Sequence, residues 1–203
     1  MSFQTISREN PLILASDSPR RKRLLLQIGL PFRSLPSDVE ENQTPGGPQE
    51  KVSRLAEKKA EAVYSRSQNS WILGADTIVI IGDRIFGKPR DHDEAQSMLS
   101  QLSGKEHKVI TAFCLLNPAG VGVHAEAITT RVNMKWLTKN EIKAYVATGE
   151  PFGKAGGYAI QGIGAYMVES ILGSYTNVVG LPVCALIQSL IAAGALKDFP
   201  FPP

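Results

Sequence analysis

One carboxylate stands in the middle of an apolar segment. Asp76 has Ile72 to Ala75 before it and Thr77 to Ile81 after it. A charge buried in such a segment is costly unless a cation, a metal ion or a catalytic role accompanies it. The alternative is an aspartate that caps a bulge in a strand. The small residues Gly74 and Ala75 would let a substrate approach the backbone, which favours the catalytic interpretation.

Basic residues occupy a position where phosphate groups could bind. Arg20 and Arg21 fall in the first turn of a predicted helix that follows a short buried strand. The free N–H groups and the dipole of such a helix already favour an anion, and guanidinium groups fit phosphate oxygens bidentately. An exposed basic turn explains the spacing equally well. The glycines of a Walker loop or a dinucleotide-binding fingerprint are absent.

Further charges could complete a phosphate and metal site. Lys59 lies near the centre of an apolar helical stripe, so it must either extend to the surface or meet an anion. Replacing it by an apolar residue is therefore expected to leave thermal stability undiminished. Lys88 ends a hairpin, and Glu40 and Glu41 precede a Pro/Gly-rich loop. Each could be plain surface, but together they offer cations for phosphates and acids for a divalent ion.

A glycine-dense segment, Gly153 to Gly164, surrounds one long amide, Gln161. Its side chain could read the edge of a base by donating and accepting at once, although an ordinary turn with an exposed glutamine is the alternative. His92, His107 and His124 lie far apart, in no spacing that suits zinc or a Ser/His triad, and we assign them no role.

The elements that carry these residues interleave strands and helices, and a hairpin breaks any strictly parallel pattern. We expect an α/β fold with a mixed, elongated and twisted sheet flanked by helices, in two lobes with a central cleft. Strands are predicted at Leu12–Ala15, Trp71–Ile81, Arg84–Phe86, Lys108–Leu116 and Tyr166–Ile171, with a long extended segment that reaches Trp136. Helices are predicted at Pro19 to Gly29, about Glu50 to Ser65, Asp91 to Gly104, Thr138 to Gly149 and Pro182 to about Ala193.

The composition is that of a globular protein. The 203 residues are 43% hydrophobic and carry a net charge of only +3, which does not favour a nucleic-acid partner. No signal peptide or membrane-spanning run is visible, so we expect a cytoplasmic protein with no membrane partner. Cys114 and Cys184 are interpreted as reduced core residues. We expect an N-terminal extension at 1–11 that is frayed over about its first ten residues, a single domain at 12–195 and a tail at 196–203.

Six motifs occur in an order and spacing that resemble the Maf family of nucleotide pyrophosphatases. The resemblance covers nearly the whole chain, from Leu12 to about Ala193. The motifs are Leu14-Ala-Ser-Asp-Ser-Pro-Arg-Arg21, Leu55-Ala-Glu-Lys-Lys59-Ala, Gly74-Ala-Asp-Thr77, Gly87-Lys88-Pro, Lys154-Ala-Gly-Gly-Tyr-Ala-Ile-Gln161-Gly and Val179-Gly-Leu-Pro182.

The resemblance implies a pyrophosphatase that uses Mg²⁺ or Mn²⁺ to cut a nucleoside triphosphate between its α- and β-phosphates. It makes Asp76 the proton acceptor and a metal ligand together with Glu41, and it leaves open whether Asp76 is base, ligand or both. It also assigns substrate binding to Ser16, Arg20, Arg21, Lys59, Thr77, Lys88 and Gln161.

The combination of Arg20, Thr77 and Gln161 is similar to the subgroup that hydrolyses dTTP and UTP. Modified pyrimidine nucleotides stay open as substrates. Two alternatives also stay open, a 7-methyl-GTP pyrophosphatase and a nucleotide-binding regulator of cell division that senses rather than cleaves. The resemblance leaves open a homodimer as well.

Overall fold

The structure is a computed structural model, and it describes residues 3–39 and 46–200. Strands and helices interleave along the described chain, although some strands follow one another directly. The strands are β1 (Leu12–Leu14), β2 (Phe32–Ser34), β3 (Ile72–Ile81), β4 (Arg84–Phe86), β5 (Glu106–Leu116), β6 (Gly122–Met134) and β7 (Val168–Leu172). The helices are α1 (Pro19–Gln27), α2 (Pro48–Tyr64), α3 (His92–Leu102), α4 (Lys139–Ala147), α5 (Tyr175–Val179) and α6 (Val183–Ala192), with 3₁₀ turns at Ala155–Gly157 and Ile163–Met167.

The described strands form one mixed sheet. Its order is β2-β1-β3-β5-β6-β7, and β4 pairs with β3 off this path. Strand β1 runs parallel to both β2 and β3, with Leu14 opposite Ser34 on one side and Leu73 on the other. Strands β3 and β4 form the antiparallel hairpin that the Gly82-Asp83 turn predicts, and β6 and β7 are also antiparallel. The expected mixed α/β sheet with flanking helices is confirmed.

Local sequence accounts for several helix ends. Ser18 caps α1 by accepting a hydrogen bond from the Arg21 N–H, and Pro19 takes the first helical position, where no N–H is needed. Thr138 and Glu141 form a reciprocal capping box on α4, with donor–acceptor distances of 3.2 and 2.7 Å. The starts of both helices were predicted from the sequence, because each capping motif spans only four residues.

The chain divides into two compact units. The first comprises Met1–Asp76, Thr111–Ile128 and Gly180–Pro203, and the second comprises Thr77–Ile110 and Thr129–Val179. The first has fully buried leucines from β1, α1 and β3, among them Leu12, Leu25 and Leu73. The second has its own core around α3 and α4, in which buried side chains include Phe86, Leu99, Leu102, Val132, Tyr145 and Met167.

The described part of the N-terminal extension, residues 3–11, packs within the first unit, contrary to the expectation that the extension frays. Ile6 is 2% exposed and its N–H donates to the Ala195 carbonyl at 2.8 Å. The indole N–H of Trp71 donates to the Gln4 carbonyl at 2.9 Å. Apolar contact and these two bonds hold the segment in place.

The two cysteines differ from the prediction in one respect. Cys114 is buried and reduced as expected, and burial raises its pKa to about 12. Cys184 is also reduced but lies exposed near the start of α6, so its assignment to the core was wrong. Its apolar neighbours in the sequence are divided between the two faces of the helix, a distribution that composition alone does not show.

No helix within residues 3–39 and 46–200 combines the length and the apolar character that a membrane span requires.

Candidate functional site

A buried ion pair joins helix α2 to strand β3. The Nζ atom of Lys59 lies 2.6 Å from the Oδ1 atom of Asp76, and each side chain is 9% exposed. The lysine that the helical pattern places on the inward face therefore meets an anion instead of extending to the surface. That anion is the aspartate that stands in the apolar strand.

The close approach of α2 to β3 depends on Gly74. A Cβ atom at this position would lie 2.1 Å from the Ala56 carbonyl oxygen and 2.8 Å from the Ala60 nitrogen, both on α2. Lys59 stands between these two alanines in the helix. The space beside Gly74 is thus filled by α2, and the interpretation that it admits a substrate was wrong. Its contribution to the site is to let Lys59 reach Asp76.

Arg21 is a buried cation with protein acceptors. It is 7% exposed, its Nε–H donates to the Gly180 carbonyl at 2.8 Å, and its Nη1 donates to the Ser16 hydroxyl at 3.0 Å. Ser16 is itself 8% exposed, and its hydroxyl also accepts from the Ser18 N–H. Arg21 therefore fixes the turn between β1 and α1, the turn that contains Ser16.

The Gly180 carbonyl was not singled out as part of a site. The motif Val179-Gly-Leu-Pro182 was noticed in the sequence, but only as a family signature. The carbonyl group of Gly180 accepts a hydrogen bond from Arg21, although the two residues are 159 positions apart in the sequence. No local pattern could reveal that pairing.

Ser16 and Asp76 both lie beyond the point where β1 ends. Ser16 is in the turn after β1, and Asp76 is on the neighbouring strand β3. The Ala15 N–H donates to the Leu73 carbonyl at 2.8 Å, and β1 and β3 run parallel. Ser16 follows Ala15, and Asp76 lies three residues beyond Leu73 in the same direction. The carboxyl ends of parallel strands are the usual place for ligands in open α/β sheets. Arg20 lies half-buried in the first turn of α1, and burial lowers its pKa.

The second unit brings two further motifs into contact. The Gly156 N–H donates to the Gly87 carbonyl at 3.0 Å, which links the glycine-dense segment to Gly87-Lys88-Pro89. Lys88 is exposed at this junction, and Gln161 is half-buried in the turn that follows. Thr77 is half-buried on β3, immediately after Asp76. Thr77 begins a segment of the second unit, whereas Lys59 and Asp76 belong to the first.

The three histidines, to which we assigned no role from the sequence, lie in different surroundings. Within residues 3–39 and 46–200, no three His, Cys, Asp or Glu side chains cluster as a metal site would require. His107 is 1% exposed and its Nε2 lies 2.8 Å from the Tyr158 hydroxyl. Burial lowers the pKa of His107 to about 4.

Asp76 suits a hard divalent cation that is shared with a phosphate. Its Oδ1 atom contacts Lys59, and its Oδ2 atom takes no part in that contact. Mg²⁺ is commonly held by one or two carboxylates together with substrate phosphates, so a carboxylate with one oxygen outside the ion pair fits that ion. Glu41, the second predicted ligand, lies outside the described residues.

Comparison with known proteins places the chain in a family. The family model described as "Maf-like protein" matches residues 11–193. The chain belongs to the Maf family.

Its relatives are similar along almost their whole length. The chain is 48% identical to a "dTTP/UTP pyrophosphatase" of Geobacter sp. (strain M21), over 94% of this chain and 100% of that one. It is 51% identical to a protein of the same name from Ruminiclostridium cellulolyticum, over 85% and 90%. A third such protein, from Halalkalibacterium halodurans, is 48% identical over 93% and 99%.

Proposed function

We propose that this chain is a nucleoside triphosphate pyrophosphatase that converts UTP and dTTP to the nucleoside monophosphate and pyrophosphate. The observation that carries the proposal is the buried ion pair between Lys59 and Asp76. Asp76 is on β3, the strand that pairs with β1, and β1 leads into the turn that Arg21 and Ser16 form. The name shared by relatives about half identical to this chain supports the reaction and the pyrimidine substrates.

Asp76 accepts the proton of the attacking water. Its Oδ1 is held by Lys59, which fixes the carboxylate and leaves Oδ2 as the basic atom. A positioned general base contributes roughly 10² to 10⁴ to a rate. The water oxygen bonds to the α-phosphorus, the bond from that phosphorus to the α–β bridging oxygen breaks, and pyrophosphate leaves with the electron pair.

Cations stabilise the charge that grows on pyrophosphate. The stabilising positive charge comes from Lys59, which is buried, from Arg20, which is half-buried, and from Lys88, which is exposed. Arg21 adds to this set chiefly by fixing Ser16, because two of its donors are taken by protein acceptors. Mg²⁺ or Mn²⁺, held by Asp76 and Glu41, would neutralise phosphate charge when bound.

Gln161 selects the base. Its amide can both donate to and accept from the carbonyl and N–H of uracil or thymine, while Thr77 and Arg20 complete the combination that is similar to the dTTP/UTP subgroup. The names of the relatives favour this substrate over 7-methyl-GTP. A cytoplasmic location and a homodimer remain predictions from the sequence.

Product analysis tests the proposal. Purified protein is incubated with UTP, dTTP, CTP, ATP, GTP and 7-methyl-GTP in Mg²⁺ or Mn²⁺, and monophosphate, pyrophosphate and inorganic phosphate are quantified. We expect monophosphate and pyrophosphate in equal amounts, with UTP and dTTP turned over fastest. Release of inorganic phosphate as the first product would contradict cleavage between the α- and β-phosphates. Tight binding with no product would favour the nucleotide-sensing regulator.

A further inference from the structure

The Glu150 carboxylate accepts three hydrogen bonds in the second unit. Its Oε1 accepts from the Ile163 N–H at 2.9 Å, and its Oε2 accepts from the Gly164 N–H at 2.8 Å and the Tyr145 hydroxyl at 2.7 Å. Burial raises the pKa of Glu150, but the bonds from Gly164, Tyr145 and Ile163 together outweigh it and hold the pKa below its ordinary value. The group is therefore a charged acceptor at neutral pH.

Hydrogen bonds to Tyr145 and Glu150 hold the main chain on both sides of Gln161. The Tyr145 hydroxyl, besides donating to Glu150, accepts from the Ala159 N–H at 3.2 Å. Ala159 lies two residues before Gln161, and Ile163 lies two residues after it. The turn between them is closed by a bond from the Gly162 N–H to the Ala159 carbonyl at 3.2 Å. The main chain before Gln161 is thus bonded to the Tyr145 hydroxyl, and the main chain after Gln161 is bonded to the Glu150 carboxylate.

Close packing at Gly162 shows how little room the arrangement leaves. A Cβ atom there would lie 2.0 Å from Oε1 of Glu150. Only glycine lets the carboxylate come against the turn beside Gln161. Glu150 is also anchored at its own main chain, since its N–H donates to the Thr148 hydroxyl at 3.1 Å and its carbonyl accepts from Lys154.

We propose that Glu150 is a positioning residue for base selection, which acts by fixing the turn that presents Gln161. The proposal rests on the proposed function, in which Gln161 reads the base. Glu150 does not touch the substrate, and its three acceptor contacts are made to the protein. The consequence is that the preference for a pyrimidine depends on a carboxylate in the turn that follows α4.

The test is Glu150→Gln, measured by kcat/KM for UTP and for ATP. The amide keeps the size of the side chain but loses the charge, and its NH₂ group faces N–H donors. We expect the UTP to ATP ratio of kcat/KM to fall about tenfold or more, through a rise in KM for UTP larger than the fall in kcat. The control is Glu169→Gln, an exposed glutamate on β7.

A double-mutant cycle separates positioning from general loss of structure. In a Gln161→Ala background, Glu150→Gln should change the UTP to ATP ratio by less than about twofold, because the group that it positions is gone. An equal fall in both backgrounds would overturn the proposal, as would an unchanged ratio in the single variant. If wild type itself shows no preference for UTP, the proposed function fails, and that result is visible before any variant is made.

Two measurements keep the test informative if Glu150→Gln folds poorly. Tyr145→Phe removes one of the three donors and keeps both main-chain ones, so a fall of about threefold in the ratio is expected. Amide hydrogen exchange at Ile163 and Gly164 should be slow in wild type and at least tenfold faster in Glu150→Gln. Fast exchange in wild type would overturn the fixed turn independently of any substrate.

Discussion

The ammonium group of Lys59 and the carboxylate of Asp76 form an ion pair of 2.6 Å between α2 and β3. Each residue would be costly to bury alone, and each supplies the partner that the other needs. The second oxygen of Asp76 lies outside this contact. Orientation of the proposed base and stability of the core are therefore linked through the same ion pair.

Asp76→Asn should abolish turnover in a folded protein. The amide keeps the shape and can still accept from Lys59, but it cannot take a proton from water. We expect kcat for UTP to fall by roughly 10² to 10⁴, with the circular dichroism spectrum unchanged. A folded variant that retained most of its turnover would remove Asp76 from the role of base.

Lys59→Met should lower the free energy of unfolding. The sequence alone indicates no loss of stability, but the structure shows that Lys59 is paired with a buried carboxylate. Removing one partner leaves a buried carboxylate beside a thioether, at a cost of about 3 kcal/mol in the free energy of unfolding. Urea denaturation of Lys59→Met, Asp76→Asn and the double variant measures the coupling. The double variant should be more stable than the sum of the single effects predicts, and strict additivity would contradict the pair.

Lys58→Met is the matched control for that cycle. Lys58 precedes Lys59 on the same helix but is exposed. Its loss should change the free energy of unfolding by less than about 0.5 kcal/mol.

Gly74→Ala should reduce both stability and activity. The added methyl group would meet main-chain atoms of α2 at 2.1 and 2.8 Å, so the helix must move and Lys59 with it. We expect a loss of about 2 kcal/mol or more in urea denaturation, together with a lower kcat. Gly122→Ala, where the nearest atom is 3.9 Å away, should be close to neutral. Equal effects of the two substitutions would show that the packing of α2 on Gly74 is unimportant.

Gln161→Glu should weaken the preference for pyrimidines. A carboxylate repels the carbonyl oxygens of uracil and thymine, and each polar mismatch costs roughly 1 to 3 kcal/mol. The UTP to ATP ratio of kcat/KM should therefore fall at least about tenfold. An unchanged ranking of substrates would refute the role of Gln161 while leaving the role of Asp76 intact.

His107 should make folding stability depend on pH. Burial lowers its pKa in the folded protein to about 4, from an ordinary value of 6.5. Between those two values the unfolded chain binds a proton that the folded chain does not, so the contribution of His107 to stability rises with pH across this window. The contribution is fully present above about pH 6.5 and lost below about pH 4.

The comparison of wild type with His107→Gln isolates this effect. Glutamine can still bond to the Tyr158 hydroxyl but does not titrate near neutral pH. The difference in unfolding free energy between the two proteins should change by about 3 kcal/mol between pH 7 and pH 4. A difference that stays constant over this range would show that His107 titrates normally in the folded protein.

Short sequence motifs predicted the elements whose ends lie within a few residues of a helix cap or a turn. The Ser18-Pro19 start of α1, the β3–β4 hairpin and the capping box of α4 are all of this kind. Strand β2 and helix α5 were not predicted. They have three and five residues, too few to show a periodic pattern, and neighbouring strands or turns stabilise them.

In the site too, the sequence predicted features of single elements but not the contacts between elements. An apolar strand indicated that Asp76 needs a partner, and a helical stripe indicated the same for Lys59, but neither pattern could join them. Gly74 was correctly interpreted as a point of close approach, yet the approaching group was misidentified. Glu150 carried no signal, because its acceptor role depends on N–H groups 13 and 14 residues further along the chain.

The first unit takes residues from both ends and from the middle of the chain, and its Arg21–Gly180 bond spans 159 residues. At a translation rate of roughly 5 to 20 residues per second, Arg21 is synthesised roughly 8 to 32 seconds before Gly180 exists. Throughout that interval the Arg21 guanidinium lacks its Gly180 acceptor, and the first strands lack the segment that begins at Gly180 and completes their unit. The turn around Ser16 can therefore reach its final form only after Gly180 has been made.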